Sequence, residues 1–218
     1  GVAIDEFCRE LDLDAYALQC WTSLEENFGV APCTVMSMMS DAMRPAACEV
    51  DVGGALAMYA LGLVSETPSA LLDWNNNYND ADEKCVLFHC SNIPAHFLQD
   101  VTMSTHDIVA DEVGEEAAWG TCSGRIKSGQ FTFARLSTDD MNGRIRTYLG
   151  RGEFPDDPLA TFGGYSVARI PQLQELMQRI CRTGFEHHVA ITGADCAEAL
   201  AEAFTTYLNY ETYVHEGE

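Results

Sequence analysis

The chain is short of positive charge: among its 218 residues, 12 Lys and Arg stand against 34 Asp and Glu, a formal net charge of −22. Nucleic acid and anionic membrane surfaces both demand a basic footprint, so neither is expected as a partner. The chain also lacks any apolar run approaching the ~18 residues of a transmembrane helix, so its 47% hydrophobic content serves one large or two small cores. No CxxC pair occurs, which argues against a structural zinc cluster, and there is no Gly-x-Ser-x-Gly elbow for a serine nucleophile. Gly53-Gly54 and Gly163-Gly164 have neither the spacing nor the Lys of a phosphate loop.

Cysteine is plentiful, but the nine residues form an odd set with no secretory signal pattern before them. Cys20, Cys33, Cys48, Cys85, Cys90 and Cys181 lie inside apolar runs, as reduced core thiols do, and the expected location is a reducing cytoplasm. The chain opens on Gly1-Val2-Ala3-Ile4 without Met, with an amphipathic helix already under way over 3–11. A piece of a longer protein is therefore expected, whether excised, engineered or a separate subunit.

The hydrophobic pattern predicts α/β organisation in two parts. Over 1–94, short strands at 16–21, 69–73 and 85–90 alternate with helices at 22–28 and 51–64, while 32–37 reads as a loop or short strand. Strands joined by helix-length connections imply a partial Rossmann-like parallel sheet with ligands gathered at its carboxyl ends. Over 95–218, alternating segments at 120–126, 130–137, 144–152 and 165–170 predict a mostly antiparallel, barrel-like β domain. Asp139-Asp140-Met141-Asn142-Gly143 supplies a hairpin turn. Helices are expected at 172–182 and 196–207, with a strand at 187–191 between them.

Two carboxylates and two imidazoles stand at the edges of apolar runs: Glu49, Asp73, His89 and His188. Carboxylate oxygen with neutral imidazole suits a divalent ion of Mn²⁺ or Zn²⁺ type that binds oxygenated substrate and still exchanges ligands. Taken singly each residue has an ordinary structural role: Glu49 complementing a helix dipole, Asp73 in turn chemistry, His89 in a core, His187-His188 as a solvated pair. Glu25-Glu26, Asp111-Glu112 and Glu115-Glu116 read as solvated helix faces.

The words around the four residues join them. Cys48-Glu49-Val50-Asp51-Val52-Gly53-Gly54, Leu71-Leu72-Asp73-Trp74-Asn75, Val86-Leu87-Phe88-His89-Cys90 and Gly184-Phe185-Glu186-His187-His188 stand in one order. Gly120-Thr121-Cys122-Ser123-Gly124-Arg125, Phe131-Thr132-Phe133-Ala134-Arg135 and Phe162-Gly163-Gly164 accompany them. With these segments the chain resembles the C-terminal part of the L-fucose isomerase and L-arabinose isomerase family, in its fucose-isomerase-like branch. The resemblance implies a metal held by Glu49, Asp73 and His188, with His89 a further ligand as in the arabinose-type site. It implies Mn²⁺ or another divalent cofactor, and aldose–ketose isomerisation of an open-chain pentose or 6-deoxyhexose through a cis-enediol. Glu49 and Asp73 would be the catalytic pair, with Glu49 preferred as carbon base.

Sugar contacts are expected from His187, Gln19, Trp21 and Arg135, although Trp21 could equally be core and Arg135 structural. The resemblance further implies N-terminal domains ahead of this segment, a homo-oligomer with sites near subunit interfaces, and little activity in these 218 residues alone. A catalytically silent sugar-binding module and an assembly domain remain the alternatives.

Overall fold

The computed structural model describes residues 1–90 and 92–217. In chain order the elements are α1 (Val2–Glu10), β1 (Tyr16–Ala17), α2 (Ser23–Phe28), α3 (Cys33–Asp41), β2 (Ala46–Ala47), α4 (Val52–Ser65), β3 (Ser69–Asn77) and β4 (Lys84–His89). There follow β5 (Thr102–Thr105), α5 (Asp107–Val113), β6 (Trp119–Arg125), β7 (Gly129–Asp139), β8 (Arg144–Phe154), β9 (Gly164–Arg169), α6 (Leu173–Thr183), β10 (His188–Thr192), α7 (Ala197–Glu202) and β11 (Glu211–His215).

Six strands in the order β8-β7-β10-β3-β4-β9 pair antiparallel, and a β8–β9 pairing at Glu153 and Arg169 closes them into a barrel. β11 adds to β8 and β6 to β9, both parallel, and β5 extends the β6 edge. Closure leaves the six barrel strands without a free edge. The β7–β8 hairpin turns where expected: Gly143 takes φ +64°, and Asp139 Oδ1 accepts from Asn142 N at 3.2 Å.

The antiparallel barrel is as expected; the Rossmann-like sheet is not. Parallel pairing within the first 94 residues is confined to β1 with β2, two residues each. β3 and β4 lie antiparallel in the barrel, because the link 78–83 is far shorter than the dozen or so residues a parallel crossover requires. Segment 32–37 is the start of α3, whose buried Cys33, Met36, Ser37 and Ser40 follow helical spacing despite the strand-like Thr-Val pair. β3 also runs four residues past Asp73 to Asn77, so the asparagines continue a strand rather than forming a turn.

Both faces of the barrel wall are covered. Leu72, Leu87, Phe131, Phe133, Tyr148 and Ile191 form one core with Leu173 and Leu176 of α6. Leu71, Ala134, Leu149 and Ala190 form the other beneath Ala57, Met58 and Leu61 of α4 and Leu200 of α7. Full burial of Met58 and Leu61 contributes about 2 kcal/mol each. By strand alternation Asp73 shares the face of Leu71 and His188 that of Ala190, so both point to the side covered by α4.

All nine cysteines are free thiols, and eight are buried; Cys181 is exposed on the outer side of α6, against the core reading. Glu25 is buried as well, at 1% exposure, because adjacent helical residues point about 100° apart and α2 turns Glu25 inward while Glu26 faces solvent; burial raises its pKa. No described helix is long and apolar enough to cross a membrane.

Gly53 lets α4 sit directly on β7, since a Cβ there would stand 2.5 Å from the Leu136 carbonyl oxygen. Gly53→Ala is expected to lower unfolding free energy by about 1–3 kcal/mol in urea titration. Gly193→Ala, where a Cβ meets nothing within 4 Å, should stay within about 0.5 kcal/mol of the parent.

Candidate metal centre

The site forms where β10 begins beside the middle of β3 and the end of β4. His188 pairs with Asp73 across the β10–β3 ladder, and Asp73 pairs with Phe88, one residue before His89, across β3–β4. Gly163, at φ +70°, leads β9 past the His89 carbonyl, where any side chain would collide. Glu49 arrives from the other side, on the turn between β2 and α4. Glu49 and Val50 have φ +58° and +56°. For a β-branched Val this is an outlier, and such backbone costs on the order of 1–3 kcal/mol per residue.

These positions gather two overlapping sets of donors. In each of Asp73–His89–His188 and Glu49–His187–His188, one ligand atom per residue lies within 4.8 Å of the others. The two acids thus fall in different sets that share His188. His188 Nε2 is 3.3 Å from Asp73 Oδ1, and His187 Nε2 is 3.3 Å from the same oxygen. His89 and His188 are buried, whereas Glu49 and His187 are exposed. His188 Nε2 is buried with no hydrogen-bond partner. A lone pair sealed in this way beside a carboxylate fits a metal ion.

Protonation states suit the same reading. Burial pushes His89 down to about 4 against the opposing pull of Asp73, so it is a neutral ligand at pH 7. Burial would raise Asp73, but hydrogen bonding from His187 and the neighbouring imidazoles outweigh it and hold the carboxyl below its ordinary value. The hydrogen bond to Asp73 in turn raises His187.

Asp51 organises the back of the site, and nothing in the sequence reading gave it that role. Its Oδ1 accepts from Gly54 N at 2.8 Å, capping α4. Its Oδ2 accepts from His188 Nδ1 at 2.8 Å and from Arg135 Nη1. Arg135 Nε also donates to Glu186 Oε2 at 3.2 Å, and Ser137 Oγ to Glu186 Oε1 at 2.9 Å. Burial would raise the Asp51 carboxyl; these bonds overcome it and hold the group well below the carboxylate range. With Nδ1–H given to Asp51, His188 has only Nε2 left to turn toward a ligand.

The expected sugar contacts separate. Trp21 and His187 line a cavity of about 410 Å³ together with Glu49, Asp73, Trp74 and His89. Gln19 is not part of that lining and donates to the Trp21 carbonyl at 2.8 Å. Arg135 borders a second cavity of about 430 Å³ with Glu49, His187 and His188, its guanidinium already taken up by Asp51 and Glu186. The one hint in the sequence toward Asp51 is its place three residues before Gly54, the spacing of an N-cap and its donor.

Comparison with known proteins follows the same lines. The profile described as "L-fucose isomerase, C-terminal domain" matches residues 87–215. The chain belongs to this family. It is similar to sulfoquinovose isomerase of Alkalicoccus urumqiensis, 25% identical over 92% of the chain and 44% of that protein. The sulfoquinovose isomerases of Priestia aryabhattai, at 23%, and Clostridium sp. (strain MSTE9), at 24%, match 97% and 98% of the chain and 46% and 47% of their own lengths. The chain thus spans somewhat under half the length of these relatives.

Arg135→Met leaves Asp51 and Glu186 facing each other without their cation. Unfolding free energy should fall by about 3 kcal/mol, as for other broken buried pairs. The loss should be largest at neutral pH. Because folding depresses the Asp51 carboxyl, its contribution is present in full above the unfolded carboxylate range and is lost only as pH falls through the much lower folded value, so urea titrations of parent and variant should draw together below about pH 4 without yet meeting at about pH 3.

Proposed function

We propose that this chain is the metal-carrying half of an aldose–ketose isomerase, cytoplasmic and homo-oligomeric, completed by N-terminal domains such as those its relatives' greater length allows. The observation that carries the reading is the buried, unpartnered His188 Nε2 set between Asp73, His89 and the exposed Glu49–His187 pair, in a chain of the fucose isomerase family. Asp73, His89 and His188, with Glu49 and His187 at the mouth, would hold a divalent ion, Mn²⁺ being the first choice. Such an ion would act as a Lewis acid on the carbonyl and adjacent hydroxyl oxygens of an open-chain sugar.

The chain's own groups do the rest. Glu49 is suited to carry the proton between C2 and C1, since its carboxylate is exposed at the cavity and makes no hydrogen bond among the described residues. Asp73, hydrogen-bonded by His187 and held below its ordinary value, is the weaker base and serves the oxygen side, where a proton must pass between O1 and O2. A single base working on one face delivers a cis-enediol. Trp21, Trp74 and Phe88 supply apolar walls and Asn75 and Asn76 polar ones, a lining that holds a hydroxylated chain away from bulk water.

The sugar is proposed as a hexose modified at C6, a 6-deoxyhexose or the sulfoquinovose named for the relatives. A pentose fits the same reaction. In a sugar-binding or assembly domain without catalysis, the metal would hold hydroxyls only, and Glu49 would be dispensable.

The test is Mn²⁺-dependent interconversion of sulfoquinovose or an L-aldose with its ketose, by the chain joined to the N-terminal half found in its relatives. Glu49→Gln at full metal occupancy should lower kcat by a factor of about 10²–10⁴ with KM little changed. Turnover within about threefold of the parent would overturn the base assignment and favour the silent-domain reading. The 218 residues alone, at equal metal loading, should be slower by about two orders of magnitude, as expected when positioning groups are lost.

A further inference from the structure

Behind the turn that carries Glu49, two buried thiols are brought together by the β1–β2 ladder. Tyr16 pairs with Ala46 and Ala17 with Ala47, and past the strands the two chains stay side by side. Leu18 N donates to the Ala47 carbonyl at 2.9 Å, and Val50 N to the Leu18 carbonyl at 3.2 Å. Alternation sends Cys20 after Tyr16 and Leu18, and Cys48 after Ala46, to one face, where the two cysteines form a small core with Met36 and Ala46. They are 1% and 0% exposed. Their thiols interact side chain to side chain, and the Cys20 sulfur also takes up the Glu49 backbone N–H. Neighbouring extended chains lie about 4.8 Å apart, within the Cα separation of about 4.4–6.8 Å that a disulfide spans.

We propose that Cys20 and Cys48 form a redox modification site, a reversible disulfide that ties the segment leading to Trp21 to the turn holding Glu49. The oxidant is hydrogen peroxide, a molecule little larger than water. It has a route to the pair, because Trp21 and Glu49, the residues following the two cysteines, line the cavity of about 410 Å³. The Cys20 sulfur attacks one peroxide oxygen, the O–O bond breaks, and one water departs to leave a sulfenic acid. The Cys48 sulfur then attacks the Cys20 sulfur, the S–O bond breaks, and a second water departs. Two thiols have given up two hydrogens and two electrons to one peroxide. In a reducing compartment the bond is transient, and a small thiol reverses it by exchange.

Glu49 has no slack to absorb the change. On one side it follows Cys48; on the other Asp51 is fixed by Gly54, His188 and Arg135. The two residues between already turn through φ +58° and +56°. Drawing Cys48 onto Cys20 therefore moves the Glu49 backbone, and the Cys20 sulfur that takes up its N–H is consumed in the bond. The carboxylate at the cavity mouth is displaced with it. The cross-link and its effect on Glu49 stand apart from the isomerase reading; a loss of turnover rests on it.

The experiment starts from a Cys181→Ser parent, which lacks the exposed thiol and so excludes bonds between chains through it. After peroxide treatment, peptide mapping without reduction should show a Cys20–Cys48 linked peptide and the loss of two free thiols, both reversed by dithiothreitol. Cys20→Ala and Cys48→Ala should each abolish the linked peptide, with a urea midpoint for each variant to check its fold. Carbodiimide coupling of an amine to Glu49, read in the same maps, should be slower in the oxidised chain than in the reduced one. In the chain joined to its relatives' N-terminal half, oxidation should lower kcat by about tenfold or more, restored by dithiothreitol, as expected when a reacting group is misplaced. Absence of the linked peptide, or oxidation confined to Cys90 in the cavity wall, overturns the site. A linked peptide with unchanged Glu49 coupling overturns the control of Glu49. Failure of the reduced, joined protein to isomerise any sugar is a separate result, which refutes the isomerase reading and leaves the two mapping outcomes to decide this one.

Discussion

The Asp51 carboxylate is the joint on which the site and the local fold both turn. One oxygen caps α4 and the other receives His188 and Arg135, so helix, barrel strand and candidate ligand are tied to a single buried group. Each bond is charge-assisted, and a carboxylate that far from water tolerates no vacancy among its donors. The left-handed backbone at Glu49 and Val50 follows from this. With Asp51 anchored below α4 and Cys48 buried in the β1–β2 layer, the two residues between must turn sharply, and the turn lifts Glu49 to the cavity mouth. Strain there is supported by the packing on both sides of it.

The six barrel strands were legible in the sequence, whereas β2, β5 and β11 and several of the pairings were not. Segments such as 130–137 and 144–152 alternate, bracket an Asn-Gly turn and pair as expected. The runs Ala70-Leu71-Leu72 and Val86-Leu87-Phe88 are continuous instead, and a continuous apolar strand ordinarily signals a parallel sheet covered on both faces. Here the same pattern arises in an antiparallel barrel, because the interior claims one face of β3 and α4 the other. On β3 the pattern reports burial on two faces, on β4 Val86 and Phe88 are only half-buried, and strand direction is encoded in neither run. The short link between β3 and β4 was the better guide.

The site divides in a similar way. The candidate ligands stand out in the sequence, since a Glu, an Asp and a His at the edges of apolar runs have few cheap structural roles in combination. Supporting groups do not. Asp51 reads as a helix cap, which it is, and nothing local shows that its second oxygen faces a histidine 137 residues away. Arg135 has the look of a substrate-binding arginine until Asp51 and Glu186 are seen to occupy it. Glu25 carries the opposite lesson: an acidic pair on a short helix reads as solvated, and only tertiary packing buries one member of it.

Charge accounts for what these groups have in common. Arg135 sits between Asp51 and Glu186 and cannot also answer Glu49 and Asp73, whose two remaining carboxylates face imidazoles. Of those imidazoles His89 is kept neutral by burial, and His187 draws its raised proton affinity from the very carboxylate a cation would occupy. Two acids, a pre-oriented nitrogen and no fixed countercharge of their own make a set whose electrostatics would suit the proposed divalent cation. On the proposed metal reading protons would compete there: a protonated His187 over Asp73 would be a weaker stand-in for the ion and would have to leave on its arrival.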